Sequence, residues 1–275
     1  MSARITAFAN QKGGVGKTTT AVNMAAGIAR AGKRVLLVDM DPQANATSGL
    51  GLDKESGHSM YQVLLGQARM DQLIQNTAID GLDVIPAEVD LAGAEIEVAR
   101  LDNYLHAFKD AVADLRNSDR YDFILIDCPP SLGILTMNAL TAADSMVIPI
   151  QCEYYALEGL TTITRVVDQL NVNGTNPDLS IEGIVMTMYD MRTNLSKQVV
   201  QEVYDHFGAN VYQTLIPRSV RISEAPSHGI PVMAYDPDST GARAYTELAE
   251  EFIERCAQRA APPLMPPPPA PPAAD

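Results

Sequence analysis

Two lysines in the stretch FANQKGGVGKTTT, residues 8–20, carry the densest chemical signal in the chain. Gly16-Lys17-Thr18 closes the Walker A pattern G-x-x-x-x-G-K-[ST], although Gln11 stands where that pattern has its first glycine. In such a loop, backbone N–H groups cradle phosphates, the lysine meets the β- and γ-phosphates and the hydroxyl binds Mg²⁺. The cradle would run through Lys12, Gly13, Gly14, Val15, Gly16, Lys17, Thr18 and Thr19. One loop needs one lysine for its own phosphates, so Lys12 is a cation in search of a second negative charge.

Three acids complete the chemistry. Asp39 and Asp41 follow the apolar run Arg34–Val38, and Asp127 ends the run Tyr121–Ile126. Ligands of open α/β sheets sit outside the carboxyl ends of the strands, which points all three acids at the phosphate loop. An acid ending an apolar strand is the Walker B arrangement, so Thr18 and Asp127 make a hard-oxygen site for Mg²⁺. The D-x-D-P cluster around Asp39 and Asp41 also suits a turn, since Asp and Pro favour turns. Cys128 reads as a small buried filler, with no histidine near it in sequence.

The elements that must position these groups are legible around them. Ile5–Ala9 predicts a strand, and the segment after the loop predicts a helix ending at Gly32. Residues 42–58 read as loop, 59–65 as a short helix, and Leu82–Pro86 as a strand. Residues 88–117 show helical spacing, with Leu91, Ile96, Val98, Leu101, Leu105, Phe108, Val112 and Leu115 as the core side. A helix over 131–143 and a strand over 145–150 lead into QCEYYALEGL. There Tyr154, Tyr155 and Glu158 form either a switch or interface surface or an ordinary strand-to-helix corner. Strands over 181–188 and 211–217, and helices through about 172, over 195–208 and over 240–260, complete the pattern.

Strands alternating with helices imply one α/β domain: a doubly wound, mainly parallel sheet of P-loop NTPase type, flanked by helices over residues 1–261. The Pro-rich residues 262–275 lack a burial pattern and read as a disordered tail. With 46% apolar residues and no Trp, the core must be built from Ala, Val, Ile, Leu and Met. No signal peptide and no apolar run of about 18 residues is present, so a cytoplasmic protein is expected. Three scattered cysteines suggest neither a disulfide framework nor a zinc site. A net charge of −14 argues against nucleic-acid binding by the whole surface and confines any such binding to a local basic patch.

KGGVGKT at 12–18, VDMDPQANAT at 38–47, LIDCPPSLG at 125–133 and IPRSVRISEAPSHGIPV at 216–232 together resemble ParA/Soj-type partitioning ATPases of the deviant Walker A superfamily. The resemblance spans residues 3–258 and implies ATP and Mg²⁺ as ligands. It implies an ATP-dependent homodimer in which Lys12 crosses to the phosphates of the partner's nucleotide. It implies that Asp41 orients or activates the attacking water, that Asp39 supports the magnesium side with Thr18 and Asp127, and that Pro217 contacts adenine. Lys12, Lys17 and Asp41 would then carry a slow hydrolysis that a ParB-like activator accelerates, typically through a basic N-terminal peptide. Sequence-nonspecific binding of double-stranded DNA by the dimer, and hence nucleoid association, would fall to Arg192, Lys197, Arg218 and Arg221, in MRTNLSKQ and PRSVR.

Other readings are weaker on the same residues. A MinD-like positioning ATPase that uses a membrane instead of DNA would need a basic amphipathic C-terminal anchor. The terminal helix instead contains Glu247, Glu250, Glu251 and Glu254. An iron–sulfur enzyme of the superfamily would need a cysteine pair that is missing here. A ligase or synthetase is compatible with the fold, but no second constellation suggests one.

Overall fold

The computed structural model describes residues 2–54, 57–154 and 156–260. Its strands are β1 (Arg4–Phe8), β2 (Val35–Asp39), β3 (Gln75–Asn76), β4 (Leu82–Ile85), β5 (Phe123–Asp127), β6 (Ser145–Gln151) and β7 (Ser180–Thr187). Its helices are α1 (Lys17–Arg30), α2 (Asn45–Gly49), α3 (Met60–Leu64), α4 (Leu91–Val98), α5 (Ala107–Arg116), α6 (Ile134–Ala142), α7 (Ala156–Val172), α8 (Asn194–Phe207), α9 (Val220–Glu224), α10 (Val232–Tyr235) and α11 (Thr240–Ala260).

The strands form one sheet in the order β3-β4-β2-β5-β1-β6-β7, parallel except for the two-residue edge strand β3. VLLVD of β2 and FILID of β5 are buried at every position, because helices cover both faces of the parallel sheet. Successive side chains alternate between faces. Phe8, Val35, Leu37, Leu125 and Val147 pack in one core with α1, α10 and α11, while Ile5, Leu36, Ile124, Ile126 and Ile148 join a second core. That second core takes Phe108 of α5, Leu135 of α6, Leu160 of α7 and Val203 of α8. The approach of α1 to α11 depends on Gly27, where an added Cβ would lie 2.7 Å from Ala249 Cβ.

Three expected elements differ. The segment expected as loop after Asp41 contains α2, entered through Ala44 in the left-handed region at φ 50°. The helical spacing over 88–117 is split into α4 and α5. Buried Asn138 of α6 serves the break, donating to Tyr104 O at 2.8 Å and accepting from Phe108 N at 3.1 Å. Ile96, assigned to the core side, is 65% exposed because it lies on the outer side of the shortened α4.

The third is 211–217, which makes only isolated bridges beside β7, Ile184 with Val211 and Tyr189 with Pro217. The amides of Gln213 and Thr214 turn instead to the Glu251 carboxylate of α11, at 2.9 and 3.0 Å. Tyr154 is exposed, whereas Tyr155, the Glu158 side chain and the tail 262–275 lie outside the described residues. Among the described residues no helix is long and apolar enough to cross a membrane.

Candidate nucleotide site

The loop between β1 and α1 is built for a backbone that faces an anion. Gly14 and Gly16 hold φ of 74° and 84°, a region L side chains rarely adopt, and Gly16 is the N-cap of α1. The unpaired N–H groups of the first helical turn and the positive end of the helix dipole therefore face the loop's hollow. Buried Asn10 holds the loop's entry, donating to Pro149 O at 2.8 Å and accepting from Lys12 N at 2.9 Å. Thr187, at the carboxyl end of β7, donates to Val15 O at 2.8 Å and holds its exit.

The two lysines sit in different environments. Lys17 is buried and its ammonium donates to Lys12 O at 3.3 Å. Burial lowers its pKa, opposed by the nearby Asp127, Cys128 and Asp41. Lys12 points outward and is about half exposed, with its Nζ 3.2 Å from Glu153 Oε2 in the segment that links β6 to α7.

Parallel registry puts Phe8 beside Asp127 and Asp127 beside Asp39, so the strand-end acids line up next to the loop. Asp39 accepts from Thr47 N at 2.8 Å, Thr47 Oγ1 at 2.7 Å and Asp41 N at 3.1 Å. Those bonds make Asp39 the anchor of α2 and of the Asp41 backbone, a task its place in the sequence did not foretell. Burial pushes its pKa up to about 6, with the Thr47 bonds opposing. Asp41 is buried and accepts from Gln43 N at 2.9 Å.

Asp127 differs from both. It is fully buried, and neither carboxylate oxygen receives a hydrogen bond of standard geometry, although the Thr18 hydroxyl is near enough to oppose the upward pKa shift. Burial and then the Asp39 charge push its pKa well above the ordinary carboxylate range. A buried carboxylate with two open oxygens beside a threonine hydroxyl fits a hard divalent cation. Among the described residues no group of three or more His, Cys, Asp or Glu could hold a metal. Phosphate oxygens and water would therefore have to complete the shell. The Cys128 thiol is buried and its pKa is raised by that burial, which fits a filler.

Two cavities flank the start of α1. One, of about 200 Å³, is lined by Gly16, Thr19, Met188, Pro217, Ile222 and Tyr245; its neighbour, of about 250 Å³, is lined by Thr18, Asn23, Asn45 and Ser48. Pro217, placed by its bridge to Tyr189, thus joins the phosphate loop. Two larger hollows, of about 680 Å³ between α3 and α5 and about 820 Å³ between α8 and α11, lie away from all the acids just described.

The four basic candidates are exposed at one end of β7, but two are already engaged. Arg192 pairs with Asp190 through two bonds of 2.9 and 2.7 Å, and Arg221 lies 3.0 Å from Glu224 and 3.2 Å from Asp236. Arg218 and Lys197 have no ion pair among the described residues. The patch is therefore less positive than four cations suggest.

Asn10, Glu153 and Thr187 also contact this loop, and motif reading passes over them. Thr187 had a signal, a hydroxyl ending the apolar run of β7, but its target in the loop is 172 positions away.

A family model described as "AAA domain" matches residues 3–181. The chain is 54% identical to the sporulation initiation inhibitor protein Soj of Bacillus subtilis over 90% of this chain and 97% of that protein. It is 49% identical to the chromosome partitioning protein ParA of Caulobacter vibrioides over 94% and 97%. A crystal structure of cobyrinic acid a,c-diamide synthase from Mycobacterium smegmatis with bound ATP analog and magnesium superposes with a TM-score of 0.81 at 38% identity, covering 94% of this chain and 97% of that one. With identity of this order over nearly the full length and a parallel sheet that brings Asp127 beside the loop bearing Lys12 and Lys17, the chain belongs to the ParA/Soj family of partitioning ATPases.

Proposed function

We propose that this protein is an ATP-driven DNA-partitioning switch whose ATP-bound dimer holds DNA and whose hydrolysis, accelerated by a ParB-like activator, releases it. The observation that carries the reading is the pair of lysines on one loop: Lys17 buried against the acids, Lys12 directed outward. Lys17 has the position to neutralise phosphates bound by its own chain. Lys12 has the exposure to reach phosphates bound by a second copy. Its present partner, Glu153, forms an exposed pair worth about 0–1 kcal/mol, so a desolvated polyphosphate would outcompete it.

The residues that would hold Mg²⁺ are Thr18 and Asp127, and the ion would neutralise charge developing on the transferred phosphoryl oxygens. Asp39, by its bonds to Thr47 and Asp41, supports this side by fixing the loop. Asp41 is the group assigned to the attacking water, and positioning is the larger part of its contribution, because a carboxylate is a weak base at neutral pH. A slow basal rate follows, leaving the activator to set the timing. Pro217 and the 200 Å³ cavity offer an apolar wall to adenine.

The DNA reading rests on Arg218 and Lys197 with Arg192 and Arg221, doubled by dimerisation. Each phosphate contact steepens the log–log salt dependence of binding by about 0.9, so two weak patches add on a protein of charge −14. The decisive experiment measures retention on nonspecific duplex DNA with ATP, ADP and no nucleotide across a salt series. Binding confined to ATP and lost steeply with salt is expected. Equal binding in all three states would overturn the switch.

A further inference from the structure

We infer that Thr187 is a positioning residue for phosphate, which orients the Val15–Gly16 peptide so that the Gly16 N–H faces the bound nucleotide. This rests on the nucleotide reading of the loop and goes beyond it to a residue outside the motif. Thr187 is buried, closes β7, and donates its hydroxyl to Val15 O at 2.8 Å. In a trans peptide the C=O and the following N–H point in opposite directions. Drawing the Val15 carbonyl back toward β7 therefore turns the Gly16 N–H forward, into the hollow at the start of α1.

The lock is needed because of the glycine. Gly16 at φ 84° has little intrinsic bias against rotation of its flanking peptide planes, so the loop sequence that permits the cradle also permits its collapse. Thr187 supplies what the loop lacks. Its methyl lies 3.7 Å from where a Gly16 Cβ would stand, so it also packs beside the glycine it orients. A second acceptor, Ile150 O, lies 3.0 Å from the same hydroxyl. The hydroxyl has one proton for two carbonyls, so the phosphate loop and the end of β6 share it. That arrangement ties the loop's shape to the strand that leads, through Glu153, to α7.

The test compares Thr187→Val, which keeps shape and removes the proton, with Thr187→Ser, which keeps the proton. ADP and adenosine are titrated against each by NMR or calorimetry. Thr187→Val should weaken ADP about tenfold, the scale of one lost or misaligned charge-assisted hydrogen bond, leave adenosine unchanged, and be rescued to within about twofold by Thr187→Ser. Should Thr187→Val not fold, Thr187→Ala is read for the same ratio. Unchanged ADP affinity, an equal loss for ADP and adenosine, or failure of serine to rescue would each overturn the positioning role while leaving the nucleotide reading in place. Failure of the wild-type protein to bind ADP would overturn both.

Discussion

Asp127 is the residue whose environment most needs a ligand. Its two oxygens without a hydrogen bond of standard geometry lie in a fully buried position, and that burial, then the Asp39 charge, disfavours the carboxylate and raises its pKa. Asp127→Asn should stabilise the ligand-free protein by on the order of 1 kcal/mol while abolishing Mg²⁺-dependent stabilisation by ATP, read as melting temperature with and without ligand. A lower ligand-free melting temperature would contradict it. Asp39 has a raised pKa of about 6, so the folded chain holds more protons than the unfolded chain between about 4 and 6. Its contribution to ligand-free stability therefore declines as pH rises through that window. Lys12→Ala should keep nucleotide binding and lose ATP-dependent dimers; normal dimers in light scattering would exclude the crossing role. Asp41→Ala should bind ATP, cut turnover at least tenfold and persist as a dimer, and unchanged turnover would refute it. That Lys17, Thr18 and Asp127 lie together was legible because motif spacing and strand-end position are properties of neighbouring residues. The loads on Asp39, from Thr47 and from the Asp41 amide, were not, since they depend on α2 folding back over the strand end.

At the scale of elements, the central strands and long helices follow from apolar runs and periodicity, whereas the segment over 211–217 shows where such runs mislead. VYQTLIP has the composition of a strand, and Tyr212 N and Ile216 N donate to Ile184 O and Met186 O, yet the amides of Gln213 and Thr214 between them are taken by Glu251. Glu251 also accepts from the Thr214 hydroxyl at 2.8 Å and pairs with Arg255 at 2.7 Å. Burial raises its pKa, but the bonds from Gln213, Thr214 and Arg255 outweigh it and the net shift is downward. Its contribution is therefore present above the unfolded value near 4.5 and is lost as pH falls through the lower folded value. Glu251→Gln should cost about 1 kcal/mol at pH 7 and lower the melting temperature by roughly 2–4 °C. The deficit should shrink in acid, and a pH-independent deficit would show that the charge is immaterial. Since this segment carries Pro217 and leads to Arg218, its anchoring bears on both proposed contacts.

For the whole molecule, the sheet order places β1, β5 and β2 side by side at its centre, so a loop, a strand-end acid and an acid pair from three parts of the chain meet at their carboxyl ends. The 54% identity to Soj exceeds the 38% to the synthase structure over similar coverage, which favours partitioning over amide synthesis within a shared fold. The acidic surface bears on the basic patch through Asp190, Glu224 and Asp236. Asp190→Asn should free Arg192 and strengthen ATP-dependent DNA binding about two- to tenfold, and Arg218→Glu should weaken it with dimerisation intact. A filter-retention or anisotropy salt titration reads both, and equal slopes for wild type and Arg218→Glu would remove Arg218 from the interface. The sequence by itself determined the strands that bury on both faces, the glycine-rich loop with its two lysines and the strand-end acid beside it, because period and motif are local properties. Only the tertiary structure decided that Asp39 anchors a loop, that half of the basic candidates are already paired, and that Thr187 reaches Val15. Those are contacts between distant segments, and no local pattern encodes which partner a buried hydroxyl or carboxylate will meet once the sheet has closed.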